Sequence, residues 1–182
     1  MFGGKETMKN KEQIKYTYLH RRAFMDVVET LILSSEEKTA LLQKAAIHDL
    51  DKMAMYLFYS VKDTHTFHRA NVSHHTGGFK KKYAGETTVT PEMRLDLLEM
   101  VVDWECARYT KPDKPLNAYE TLYAFYPELE SYILPILKEL GWDSETKVEI
   151  PFIQNKCDAR AKYIGEDLIL EDLQEGLKYL FR

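Results

Sequence analysis

Apolar residues recur at helical spacing along nearly the whole chain, and only a few polar or Gly/Pro breaks interrupt them. From Glu12 to about Leu33, residues His20, Phe24, Val27 and Leu31 fall at i, i+4, i+7 and i+11, one stripe of a 3.6-residue period. Ser34-Ser35 followed by Glu36-Glu37 reads as a helix start, with a hydroxyl cap and acids in the first turn. The helix it opens carries Leu41, Ala45, His48 and Lys52 on one stripe and is expected to run to about Tyr59. Lys62-Asp63-Thr64 breaks the pattern. A brief helix from His65 to His75 is then expected to stop at Gly77-Gly78, with Lys80-Lys81-Lys82 and Gly85 in a loop. Thr90-Pro91-Glu92 is a strong start, with proline at the first helical position, for a helix reaching about Tyr109.

Lys111-Pro112-Asp113-Lys114-Pro115 ends that helix. Short helices follow at Ala118–Tyr126 and Glu128–Leu140, the second ended at Gly141. Asp143–Asn155 reads as loop, with Lys147–Ile153 open to a short extended piece, and Ile169, Leu173, Leu177 and Leu180 mark a last helix. Residues 1–10 read as a short tail. The expected fold is all-α, a single-domain helical bundle of about six to eight helices. It spans residues 1–182, with a motif-bearing core over about 14–110 and a helical extension over about 118–182.

Composition narrows the function. A net charge of −4 gives no global basic field, which argues against a long nucleic acid as partner. Two cysteines, Cys106 and Cys157, make neither a disulfide framework nor a zinc knuckle, and Cys106 reads as a small buried residue rather than a nucleophile. Met1–Lys15 has no apolar core of the kind a signal peptide needs, and no apolar run nears the ~20 residues that span a bilayer. A cytoplasmic protein with no membrane contact is expected.

All six histidines lie between His20 and His75. His20, His48 and Lys52 fall on apolar stripes, where an unpartnered imidazole or ammonium costs on the order of a few kcal/mol once desolvated. Asp103 lies at the edge of the Met93/Met100/Trp104 stripe, with Asp96 and Glu99 on the same side. Imidazole and carboxylate from successive helices suit a divalent transition metal, Mn, Fe, Co, Ni or Zn. His74-His75 adds two further candidate ligands, whereas His65 and His68 read as surface or supporting residues.

The order His20, His48-Asp49, Asp103 resembles the H…HD…D signature of the HD-domain superfamily, helical metal-dependent phosphohydrolases. The stretches His48-Asp49-Leu50-Asp51-Lys52, His74-His75 and Asp103-Trp104 are also similar to an uncharacterised HD-like family of bacteria and their phages. The resemblance implies that His20, His48, Asp49 and Asp103 ligate a first metal. It implies that Lys52, in an HDxxK arrangement, touches a substrate phosphate or protonates a leaving group. It likens His74 and His75 to the extra histidines of dinuclear members, in which the Asp of the HD pair bridges both ions. Two departures count against cyclic dinucleotides and a second ion. Thr76-Gly77-Gly78-Phe79 stands where a glycine-tyrosine-proline motif would be, and the interval from His48 to His74 is short. The HDxxE arrangement of some deoxynucleotidases is absent too, since Lys52 takes the place of the acid.

The function expected is a metal-dependent phosphohydrolase acting on a nucleotide or similar small phosphoester, with Asp49 and Lys52 as catalytic residues. Arg21, Arg69 and Lys80 are candidate phosphate contacts, since guanidinium groups suit bidentate phosphate binding. At most one of Arg21 and Arg22 can share the direction of His20, because helix neighbours are rotated by about 100°. Tyr56, Tyr59, Trp104 and above all Phe79 and Tyr83 are candidates to stack on a base. Two alternatives stand beside this reading: an HD-type di-iron oxygenase and a non-catalytic metal-binding helical module. A homodimer stays open.

Overall fold

The computed structural model describes residues 9–111, 113 and 115–181, so most of the expected N-terminal tail lies outside the described residues. Among them there are ten α-helices and no strand. Two 20-residue helices, α1 (Lys11–Thr30) and α6 (Pro91–Thr110), pack along one another and form the spine. The α6 helix starts where expected: Thr90 Oγ1 accepts from the Met93 N–H at 3.1 Å and Pro91 opens the first turn. It is buried on most sides, through Met93, Leu97, Leu98, Met100, Val101, Val102, Trp104 and Cys106, as a helix at the centre of a bundle must be. Phe24, Val27 and Val28 of α1 share this core.

Around the spine run α2 (Ser35–Ile47), α3 (Leu50–Tyr56), α4 (Val61–Asn71), α5 (Thr76–Lys82), α7 (Ala118–Phe125), α8 (Glu130–Leu140), α9 (Pro151–Tyr163) and α10 (Glu166–Leu180). A single 3₁₀ turn, Pro127–Leu129, precedes α8. Ser34 caps α2 by accepting from the Glu37 N–H at 3.2 Å, and Asn117 with Glu120 forms a reciprocal capping box on α7. Gly141, at φ 71°, closes α8 in the left-handed conformation that glycine adopts without strain. A smaller apolar cluster of Ile14, Tyr18, Met53, Tyr56 and Ile169 ties α1, α3 and α10 together. No described helix is long and apolar enough to cross a membrane.

The all-helical bundle is as expected, and four local features differ from the stripe reading. The helix expected from Ser35 to about Tyr59 is two helices, broken at His48-Asp49, where Asp49 takes φ 55°. Gly77-Gly78 is not a stop. It lies in the first turn of α5, and α4 begins at Val61, earlier than the break at Lys62-Asp63-Thr64 implied, capped by Ser60. The triple lysine ends α5 rather than lying in a loop. The stretch from Pro151, expected as loop or extended chain, is helix α9, whose buried face holds only Ile153 and Cys157, too narrow a stripe to stand out.

Candidate metal centre

The break at Asp49 decides the geometry of the centre. On a continuous helix, neighbours diverge by about 100° and His48 and Asp49 could not serve one point. A left-handed non-glycine residue costs roughly 1–2 kcal/mol. It turns the chain so that His48 Nε2 lies 3.9 Å from Asp49 Oδ1, both side chains being buried. From α1, His20 Nε2 reaches Asp103 Oδ1 of α6 at 2.6 Å, and His48 Nε2 approaches the same oxygen at 3.2 Å. His20, His48, Asp49 and Asp103 each bring one ligand atom within 4.8 Å of the others.

Asp49 also belongs to a second such group, with His68, His74 and His75. His68 Nε2 lies 2.9 Å and His74 Nε2 3.2 Å from Asp49 Oδ1. His74 and His75 sit in the turn between α4 and α5, and His68 comes from α4. His68, expected to be a surface or supporting residue, is 1% exposed and faces Asp49, which corrects the surface half of that expectation. The interval between His48 and His74 is long enough after all, because α4 and α5 fold back sharply on each other.

Carboxylates stand behind the imidazoles and fix which nitrogen faces inward. Glu99 Oε1 is 3.1 Å from His48 Nδ1 and 2.9 Å from His74 Nδ1, and Asp51 Oδ2 is 2.7 Å from His68 Nδ1. Each contact places the proton on Nδ1 and leaves Nε2 for the centre, as the outer partners of metal-bound histidines do. Neither acid was assigned a role from sequence. Glu99 stands one turn before Asp103 on the same face of α6, which is the signal that pointed toward it.

Burial opposes the charge on Asp49, yet the adjacent His48 and Lys52 charges hold its carboxyl well below the ordinary range. Asp103 is likewise held down against burial by hydrogen bonds from His20 and His48. Burial keeps His20 neutral and pushes His75 down to about 3, so neither ring has to give up a positive charge before it could bind a metal ion. His68 Nε2 is in ion-pair contact with Asp49 but off the line of a hydrogen bond, and makes no hydrogen bond among the described residues. A buried nitrogen without a hydrogen bond is costly unless something else occupies its lone pair. These donors fit a metal ion, and the buried His/Asp/Glu groups can hold one.

The centre forms the floor of a cleft of about 690 Å³. Lys52 lies on its wall and bonds Asp49 Oδ2 at 2.9 Å, leaving Oδ1 for the centre. Arg69, Lys111, Tyr56 and Trp104 also line it, with His65, whose Nε2 sits 2.6 Å from the Tyr56 hydroxyl. The other candidate contacts lie elsewhere. Arg21 is buried and bonded to Asp172 and to backbone carbonyls, so it is not a phosphate ligand. Lys80 is exposed and paired with Glu128 at 3.1 Å. Phe79 is 3% exposed in the core against Tyr83 and Tyr132, and the Tyr83 hydroxyl donates to Asp96, so neither offers a face to a base. Cys106 is buried as expected, but its sulfur lies 3.7 Å from His20 Nδ1. Compared with protein-family models, with curated proteins and with solved structures, the chain has no match.

Proposed function

We propose that the chain is an HD-type metal-dependent phosphohydrolase acting on a nucleotide or similar small phosphoester. The observation that carries this reading is the cleft, with a floor of imidazole and carboxylate ligands and a wall bearing Lys52, Arg69 and Lys111. Arg69 and Lys111 make no ion pair among the described residues, and with Lys52 they depress the basicity of His65, whose first cause of depression is burial. Glu12, Asp49 and Asp103 also line the cleft, so its positive charge is confined to the wall around His65, where Arg69 and Lys111 would meet an anionic substrate.

His20, His48, Asp49 and Asp103 would hold one ion, and Asp49, His68, His74 and His75 a second, drawn from Mn, Fe, Co, Ni or Zn. A bound divalent ion supplies a water of lowered pKa and polarises a phosphoryl oxygen. Lys52 is kept protonated, because the Asp49 carboxylate outweighs the opposing effect of burial. It therefore acts as a fixed positive charge toward the transferring group rather than as a proton donor. Arg69 and Lys111 bind the anion, while Tyr56 and Trp104 give the cleft apolar walls that exclude water.

The five imidazoles in the two groups suit iron as well as zinc or nickel, and so carry a second reading, a di-iron oxygenase. Elemental analysis of the purified protein, followed by turnover of a phosphoester panel with manganese, cobalt or nickel, tests the first reading. Iron with oxygen uptake and no phosphate release selects the second. Bound metal with neither activity leaves a binding module.

A further inference from the structure

We infer that Arg21 and Asp172 are positioning residues for the metal centre, and that through them helix α10 holds the elbow presenting His48 and Asp49. This rests on the metal centre proposed above. Arg21 follows His20 on α1 and points a different way, toward the end of α2. Its guanidinium donates to the carbonyls of His48 and Ala46, the latter at 3.0 Å. A helix leaves its last carbonyls without partners, and here the chain turns away at Asp49 before they can find any. One planar group satisfies two of them and places positive charge at the negative end of α2.

Asp172 of α10 holds the other edge of Arg21, accepting from Nε at 2.7 Å. Arg21 is 2% exposed and Asp172 8% exposed, so the pair is sealed from solvent. The backbone of α10 itself presses on the elbow. A β-carbon on Gly176 would meet Leu50 Cδ1 at 2.9 Å and the Ala46 carbonyl oxygen at 3.0 Å. Ile169 of the same helix packs with Met53 and Tyr56 of α3. Both sides of the break are thus braced by a segment that contributes no ligand and lies far away in sequence.

A buried carboxylate of α1 that is held by α9 provides the contrast. Asp26 of α1 pairs with Arg160 and Lys156 of α9, is 3% exposed, and touches no ligand backbone. The experiment compares full-length Asp172→Asn, Asp172→Glu, Arg21→Lys and Asp26→Asn with the parent. It measures zinc affinity by chelator competition and amide exchange at residues 46–53 in metal-free protein. Asp172→Asn and Arg21→Lys are expected to weaken zinc binding by at least about tenfold, the effect typical of groups that orient ligands, and to speed exchange at the elbow. Asp172→Glu should recover part of both. Asp26→Asn should lower the melting temperature without changing either readout. Zinc affinity in Asp172→Asn equal to that of the parent, or an equal loss in Asp26→Asn, would overturn the inference. If the parent itself bound no zinc, the centre would fall, and unchanged exchange in Asp172→Asn would separately refute the brace.

Discussion

Around Asp49, the first ligand group draws on the two long helices of the spine, whereas the second is assembled from a short helix and a turn. His20 and Asp103 are carried by helices whose neighbouring residues Phe24, Val27, Leu97 and Val101 are buried in the main core. By contrast, α4 buries only Thr64 and His68, and α5 is seven residues long. What brings His74 and His75 back over His68 is backbone proximity: a β-carbon on Gly78 would lie 2.1 Å from the Val72 carbonyl oxygen, and one on Gly77 2.7 Å from that of Arg69. The first group inherits rigidity from side-chain packing, and the second depends on two residues having no side chain. Local stability follows buried apolar contact, so the second group should be the one more easily opened.

Asp49 is the one ligand the two groups share, and its replacement should have the largest effect. Asp49→Ala is expected to lose both ions by elemental analysis, to lose turnover, and to lose the rise in melting temperature that ligand binding to the folded state confers. Retention of either ion would break the premise that Asp49 serves both groups. Gly78→Ala tests the other side of the comparison. The clash is with backbone, which cannot rotate away, so the cost should reach the top of the ~1–3 kcal/mol range for overpacking. The expected result is a lower melting temperature and loss of one ion, with the other kept by the spine. Loss of both ions in this variant would show that the groups do not separate as their construction implies.

Glu99→Gln should act more gently and on both groups, since Glu99 backs His48 of the first and His74 of the second. An amide that presents its NH₂ to Nδ1 in place of the carboxylate no longer fixes the proton there. Metal affinity is expected to fall ~10–100-fold with the ligand set intact. Asp51→Asn, which backs only His68 and whose side chain is 42% exposed, should weaken one ion alone and by less. Equal losses in the two variants would refute this ranking.

The same contrast explains what could be read from the chain. His20 and Asp103 sit on helices with broad apolar stripes and His48 continues the narrow stripe of Leu41 and Ala45, so periodicity places all three inside, and the structure brings them together. The elbow at Asp49 was hidden because a left-handed residue leaves the stripe of Leu41, Ala45, His48 and Lys52 unbroken. His68 was missed because α4 has almost no apolar face to orient it, and the polar character of its sequence suggested solvent. Phe79 and Arg21 misled for a common reason. Residue type announces a capacity for stacking or phosphate binding, but only tertiary contact decides whether that capacity is spent on the core or on the C-terminal helix. Asp172 lies in the helical extension, outside the segment carrying the motifs, where nothing local ties it to the centre.

The smallest expected effect is a pH dependence carried mainly by His74. Burial works against its protonated form, but hydrogen bonds to Asp49 and Glu99 and their charges raise it to about 10, above an ordinary value of 6.5. A group raised in the folded state contributes stability that is fully present below its unfolded value and lost as pH rises through the folded one. Metal-free protein should therefore lose a few degrees of melting temperature between about pH 7 and pH 10, and His74→Gln should flatten that slope. Binding an ion requires the neutral ring, so His74 must release its proton as metal enters. His20 and His75, held neutral by burial, release none, whereas His48, lowered by burial but raised on balance by the Asp49 charge, releases a share of its own. Metal-loaded protein should accordingly keep its melting temperature across the same interval, with proton release on loading smaller in His74→Gln than in the parent. A slope undiminished in His74→Gln would assign the titration to another group, His48 first among them.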